Sequence, residues 1–79
     1  MDADNLVRMA NRIGEFFIAM PDRAEAKEGI VNHIRKFWEP RMREQLFAHI
    51  DREGESGLAP LVLEAVNERR SHLMPQHAH

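Results

Sequence analysis

The segment NHIRKFWEPRMREQL, residues 32–46, decides how this chain folds. Apolar residues recur at helical spacing on both sides of Pro40, which divides the segment. Proline lacks an amide hydrogen and disfavours helical geometry in the preceding residue, so the first helix should end near Trp38 or Glu39. Proline also suits the first position of a helix, so a second helix should begin at Pro40. The segment therefore predicts two helices that meet at a sharp angle across residues 38–40.

Four stretches of the chain show helical spacing, and none shows the alternation of a half-buried strand. The predicted helices are Asn5–Met20 with Asp4 as N-cap, Arg23–Trp38 with Asp22 as N-cap, Pro40 to Ile50 or Asp51, and Ala59–Arg70 with Pro60 in its first turn. The expected fold is all-α, a small bundle of three to four short helices over residues 1–70. Residues 71–79 are polar and broken by proline, which predicts a flexible C-terminal tail.

The apolar face of each predicted helix supplies the expected core. Its members are Leu6, Met9, Ala10, Ile13, Phe16, Phe17 and Met20 from helix one, Ala24, Ile30, Val31, Ile34, Phe37 and Trp38 from helix two, Met42, Leu46, Phe47 and Ile50 from helix three, and Leu58, Leu61, Val62, Ala65 and Val66 from helix four. Gly14 interrupts helix one and costs about 1 kcal/mol relative to alanine. We therefore expect another backbone to approach the helix closely at Gly14.

Length and composition limit the class of protein. A chain of 79 residues is one domain at most. It contains no cysteine, which excludes disulfides and fits a reducing cytoplasm. The net charge of −2 gives no bulk attraction to nucleic acid or to an anionic membrane. No apolar run approaches the roughly 20 residues of a membrane span, and acidic residues within the first twenty positions argue against a signal peptide.

The side chains that carry chemistry are scarce. The sequence has no Cys, Tyr or Thr, and its only serines are Ser56 and Ser71. Nucleophilic catalysis needs an activated nucleophile beside a base, and no motif places a histidine for either serine. No glutamate has a histidine three residues later, as inward-facing di-iron sites require. His77 and His79 are too few to form a structural metal site. We expect no catalytic residue, no metal and no cofactor.

A partner-binding surface is the functional prediction that the residues themselves support. Arg35, Arg41 and Arg43 surround Trp38 at the predicted helix junction, where they could pair with acidic groups of a bound protein. Val7, Ile18 and Leu63 lie outside the predicted core faces, and spare apolar surface on so small a domain favours partner binding. The predicted partner-binding residues are Arg35, Trp38, Arg41, Arg43, Val7, Ile18 and Leu63.

Two other interpretations of the junction remain open at this point. In the first, Trp38 is an ordinary core residue and the arginines form a solvated charged surface. In the second, two helices and a tight turn form a small DNA-binding or regulatory module. Helix three argues against DNA binding, because its outer surface includes Glu44 and Gln45 and lacks an array of base-reading side chains.

Four segments, NLVRMANRIGEFF, MPDRAEA, NHIRKFWEPRMR and GLAPLVLEAV, resemble the delta subunit of the cytoplasmic, NAD-dependent, molybdenum-containing formate dehydrogenases. The resemblance covers about residues 5 to 67, and HIRKFWEPRMR is its most specific part. It implies a cytoplasmic accessory subunit that carries no cofactor. The alpha subunit of such an enzyme holds the molybdenum cofactor and iron–sulfur clusters, while beta and gamma subunits hold flavin and further clusters.

The resemblance also implies a role and a partner. The expected partner is the formate dehydrogenase alpha subunit, together with other subunits of the complex. The expected role is assembly, stabilisation or help with molybdenum-cofactor insertion. A permanent subunit and a transient chaperone both fit this expectation, and self-association of the isolated chain stays open. The chain from Arg69 onward does not share the resemblance.

Overall fold

The structure is a computed structural model that describes residues 2–53 and 56–74. It contains four helices of at least two turns and one short helix. In chain order these are α1 (Ala3–Phe17), α2 (Arg23–Phe37), α3 (Pro40–Arg52), α4 (Pro60–Glu68) and α5 (Arg70–Leu73). No strand occurs in the described ranges, so the predicted all-α fold is confirmed. None of the helices in these ranges is both long enough and apolar enough to cross a membrane.

Side-chain caps fix where the first two helices begin. The Asp2 carboxylate accepts a hydrogen bond from the Asp4 amide at 3.2 Å, so α1 begins at Ala3, and Asp2 rather than the predicted Asp4 is its N-cap. Helix α1 also ends at Phe17, three residues before the predicted end. Asp22 caps α2 as predicted, because its carboxylate accepts from the Ala24 amide at 2.8 Å.

The junction between α2 and α3 has the predicted break. Trp38 and Glu39 are both extended, with ψ angles of 136° and 152°. Helix α2 therefore ends at Phe37, and α3 begins at Pro40, the position at which proline is compatible with a helix. Two extended residues between the helices exclude a single continuous helix.

The core lies where α1, α2 and α4 pack together, with α3 against α1 and α5 against α2 and α4. The buried hydrophobic residues are Leu6, Ala10, Ala26, Ile30, Val31, Ile34, Trp38, Leu46, Phe47, Leu58, Leu61, Val62, Ala65, Val66 and Leu73. Most were predicted from helical spacing alone. Ala26 and Leu73 are additional members that the predicted faces did not include.

Four residues of the predicted core are instead exposed. They are Phe16, Met20, Ala24 and Phe37. Met20 lies beyond the end of α1, so helical spacing no longer sets its direction, and Phe37 is the last residue of α2. Phe16 lies at the edge of the α1 apolar face, and its side chain is 77 % exposed. On α1 and α2 the packed face is therefore smaller than the apolar face that the sequence predicted.

Gly14 allows α1 and α4 to pack closely. A Cβ atom at this position would overlap Cγ2 of Val62, which is fully buried on α4. The sequence predicted close approach of another backbone, whereas the structure shows that a side chain fills the space. The cost of a glycine within α1 is therefore offset by tight contact between two core helices.

The packed chain extends beyond residue 70, the predicted end of the domain. Helix α5 carries Leu73 into the core, where its side chain is fully buried. Leu73 and Met74 are adjacent in an otherwise polar segment and gave no periodicity from which this helix could be predicted. Residues 75–79 of the predicted tail lie outside the described residues.

Candidate partner-binding surface

The four predicted partner-binding residues at the α2–α3 junction have different environments. Arg35 and Arg41 are exposed, whereas Arg43 is half-buried and the Trp38 side chain is only 5 % exposed. The tryptophan ring therefore belongs to the core, and of these four predicted residues only Arg35 and Arg41 are exposed.

Arg43 is held by the fold. Its Nη1 donates a hydrogen bond to the Leu73 carbonyl oxygen at 3.1 Å and so joins α3 to the end of α5. Its Nε is buried and has no hydrogen-bond partner within the described residues. A guanidinium in this position contributes to the packing of α5, which the sequence alone did not indicate.

The other three predicted residues also divide by exposure. Ile18 is 64 % exposed just after α1, whereas Val7 and Leu63 are half-buried against the core. Val7 lies beside Gly57, because the loop before α4 covers this side of α1. Ile18 is therefore the member of this set with most apolar surface available to a partner.

Arg35 lines a groove of about 160 Å³ formed by α2 and the chain around α5. The other lining residues are Glu28, Val31, Asn32, Arg69 and His72. The side chains of Arg35 and Arg69 form no hydrogen bond and no ion pair with another described residue. Two unpaired guanidinium groups that line one groove can donate hydrogen bonds to a carboxylate of a bound protein.

A different set of charges is already paired within the fold. Glu64 on α4 accepts hydrogen bonds from Arg23 at 2.8 Å and from Lys27 at 2.9 Å, and Lys27 also contacts Glu68 at 2.9 Å. Hydrogen bonding to Arg23 and then to Lys27 lowers the pKa of Glu64 to about 2. The same contacts raise the pKa values of Arg23 and Lys27. This network joins α2 to α4 and leaves these side chains little capacity for a partner.

The described residues do not form a catalytic or metal-binding constellation that we recognise. Nε2 of His49 lies 2.8 Å from the Ser56 backbone carbonyl oxygen, while the Ser56 hydroxyl accepts from the Leu58 amide at 3.2 Å. His49 and Ser56 therefore fix a loop and do not form a nucleophile–base pair. Within the described ranges, no three His, Asp or Glu side chains lie close enough together to hold a metal ion.

Residues 5–66 match the model of the NADH-dependent formate dehydrogenase delta subunit family, FdsD. The chain belongs to this delta subunit family. No curated protein and no solved structure matches it. The FdsD match includes all of α1, α2 and α3 except the first two residues of α1, and it ends within α4.

The extent of the FdsD match separates the candidate surfaces. Arg35, Arg41 and Ile18 lie inside the matched range, whereas Arg69 and His72 of the groove lie outside it. A docking surface that belongs to FdsD proteins in general is therefore better sought on α1, α2 and α3 than on α5.

Proposed function

We propose that this chain is a non-catalytic accessory subunit of a cytoplasmic, NAD-dependent, molybdenum-containing formate dehydrogenase. It binds the alpha subunit and supports its assembly, its stability or the insertion of its molybdenum cofactor. The observation that carries the proposal is the delta subunit family match over residues 5–66. The family is that of a subunit, which makes contact with other chains of the complex the central activity.

The distribution of surface groups supports an adaptor role. Ile18 is exposed just after α1, Arg35 is exposed in the last turn of α2, and Arg41 is exposed at the start of α3. Neither arginine side chain is paired with another described residue. Paired charges add little further affinity to a complex, whereas unpaired arginines and exposed apolar side chains are typical of binding surfaces. We propose that Arg35, Arg41 and Ile18 contribute to contact with the complex.

Thermodynamic linkage explains how such a subunit acts without chemistry of its own. A protein that binds only the folded form of its partner stabilises that form by mass action. The same linkage stabilises this small chain when it is bound. Removing the subunit should therefore lower the stability of the alpha subunit or the yield of its mature form.

The test compares dehydrogenase produced in cells with and without this chain. Retention of the chain at a fixed ratio through size-exclusion chromatography is expected for a permanent subunit. Dehydrogenase made without the chain should have less molybdenum per alpha subunit or a lower melting temperature. The isolated chain should not oxidise formate. If the chain binds neither immature nor mature dehydrogenase, the proposal is wrong.

A further inference from the structure

Helix α1 carries an outer surface that the predicted binding residues did not include. Arg8 and Arg12 are both exposed and, with Asn5 and Met9, line a shallow depression of about 280 Å³. Neither guanidinium group forms a hydrogen bond or an ion pair with any residue in the described ranges. Residues four apart on a helix are neighbours, so the two guanidinium groups project from one face.

Phe16 extends this face by one helical turn. It follows Arg12 at the same spacing of four residues, and 77 % of its side chain is exposed. Its ring meets the ring of Phe17 edge to face, with centroids 5.1 Å apart. Phe17 packs directly on Gly29 of α2, where any Cβ atom would collide with its ring. The Phe16 ring thus rests against a packed ring, and a contact that restricts a side chain before binding reduces the entropy it loses on binding.

From these observations we infer that Arg8, Arg12 and Phe16 form a docking surface for an acidic surface of a partner subunit. The inference rests on the proposed function and identifies the chemistry of the contact. The partner should present two carboxylates to the arginines, beside an apolar pocket that receives the Phe16 ring. Arginine and aromatic residues are the side chains most enriched at the energetic centres of protein interfaces.

The charges around this face favour a protein over a phosphate-rich ligand or a membrane. Asp4 and Glu15 are exposed on the same side of α1, adjacent to the two arginines. An extended anionic surface would be repelled by these carboxylates, whereas separate carboxylates on a folded partner can avoid them. Phe16 also has no role in binding phosphate, but it fits an apolar pocket on a protein.

The experiment titrates the full-length chain against dehydrogenase purified from cells that lack it. We expect the double variant Arg8→Gln/Arg12→Gln and the single variant Phe16→Ser each to raise Kd by about tenfold or more, the effect of losing one interface hot spot. Helicity and melting temperature should remain those of the wild type. Met74→Ser is the control for loss of an exposed apolar side chain, because Met74 is 37 % exposed after α5, outside the range of the family match, and should bind normally.

Arg35→Gln/Arg41→Gln removes the same charge from the α2–α3 junction and tests that surface separately. Loss of affinity in the α1 variants supports the inference, whether or not the junction variant also binds weakly. Wild-type affinity in the α1 variants overturns it, as does equal weakening by Met74→Ser. If the double variant does not fold, Arg8→Lys/Arg12→Lys replaces it, because lysine keeps the charge and removes the planar fork.

Two further outcomes would also overturn the inference. If the isolated wild-type chain is a dimer that the α1 variants dissociate, this face joins two copies of the chain. If the wild-type chain does not bind the dehydrogenase at all, the proposed function fails together with the inference. Normal binding by the α1 variants leaves the proposed function intact, so the two failures are distinguishable.

Discussion

Trp38 is 5 % exposed although it occupies an extended position between two helices, where a large ring often keeps one edge in water. Its neighbour Phe37 is 65 % exposed, so two adjacent aromatic residues have opposite environments. Helix α2 ends between them, and the change of backbone direction turns Trp38 inward. The helix break before Pro40 therefore matters because it places the Trp38 ring in the core.

Replacing Trp38 with alanine should therefore destabilise the fold strongly. Removal of a buried tryptophan side chain costs about 3–5 kcal/mol, a large part of the stability of a small domain. Urea denaturation followed by circular dichroism measures the loss in free energy of unfolding. Phe37→Ala is the control and should change this free energy by less than about 1 kcal/mol, as exposed positions usually do. Similar losses in both variants would show that Trp38 is not a core residue.

Arg43 and Arg41 provide a second matched pair. Arg43→Gln removes the hydrogen bond to the Leu73 carbonyl, and a half-buried acceptor left unpaired costs about 1–3 kcal/mol. Arg41→Gln removes an exposed side chain with no described partner and should cost less than about 0.5 kcal/mol. The free energy of unfolding of each variant checks the prediction. Equal stability in both would mean that the α5 contact contributes nothing measurable.

At the scale of elements, the bundle depends on how α2 lies along α4. Glu64 contacts Arg23 and Lys27, which are one turn apart on α2, so the ion pairs fix the register of the two helices. Asn11 has a similar role for the loop before α4. Its amide donates to the Gly57 carbonyl at 3.0 Å, and its carbonyl accepts from the Ala59 amide at 2.8 Å. Polar contacts between elements thus complement the apolar core.

The Glu64 contacts should make stability depend on pH. The pKa of Glu64 is lowered from 4.5 to about 2 in the folded chain. Because the folded pKa is the lower one, the contribution of Glu64 is complete above pH 4.5 and is lost as pH falls towards 2. The difference in urea midpoint between wild type and Glu64→Gln should therefore be constant near neutral pH and shrink below pH 4.5.

Glu15→Gln is the control for this titration. The Glu15 side chain is exposed on α1 and has no partner among the described residues, so replacing it should leave the urea midpoint near that of the wild type. If the urea midpoint of the wild type exceeds that of Glu64→Gln by the same amount down to pH 2.5, the proposed linkage is excluded. High salt should reduce this difference at neutral pH, because solvent-exposed ion pairs are screened.

For the whole molecule, the features that the sequence predicted are those that depend on neighbouring residues. The helix break at Pro40 and the helix cap at Asp22 depend only on the local backbone, and helical periodicity predicts most of the core. Arg43 and Leu73 are 30 residues apart, and Asn11 lies 48 residues from its partner Ala59. These contacts, and the pairing of Glu64, depend on the relative placement of helices, which no local pattern specifies. Arg8, Arg12 and Phe16 were missed for the same reason, since only packing shows which helix faces remain uncovered.

The Gly14–Val62 contact tests how the whole bundle closes. Gly14→Ala should gain about 1 kcal/mol of helix propensity but force apart α1 and α4 at a fully packed position, where overpacking costs about 1–3 kcal/mol. Net destabilisation is expected, because Val62 is β-branched, fully buried and unable to rotate away. In a Val62→Ala background the obstructing Cγ2 atom is gone, so the same change should become neutral or stabilising. A double-mutant cycle of unfolding free energies measures this coupling. Additive effects of the two substitutions would show that α1 and α4 do not meet at Gly14.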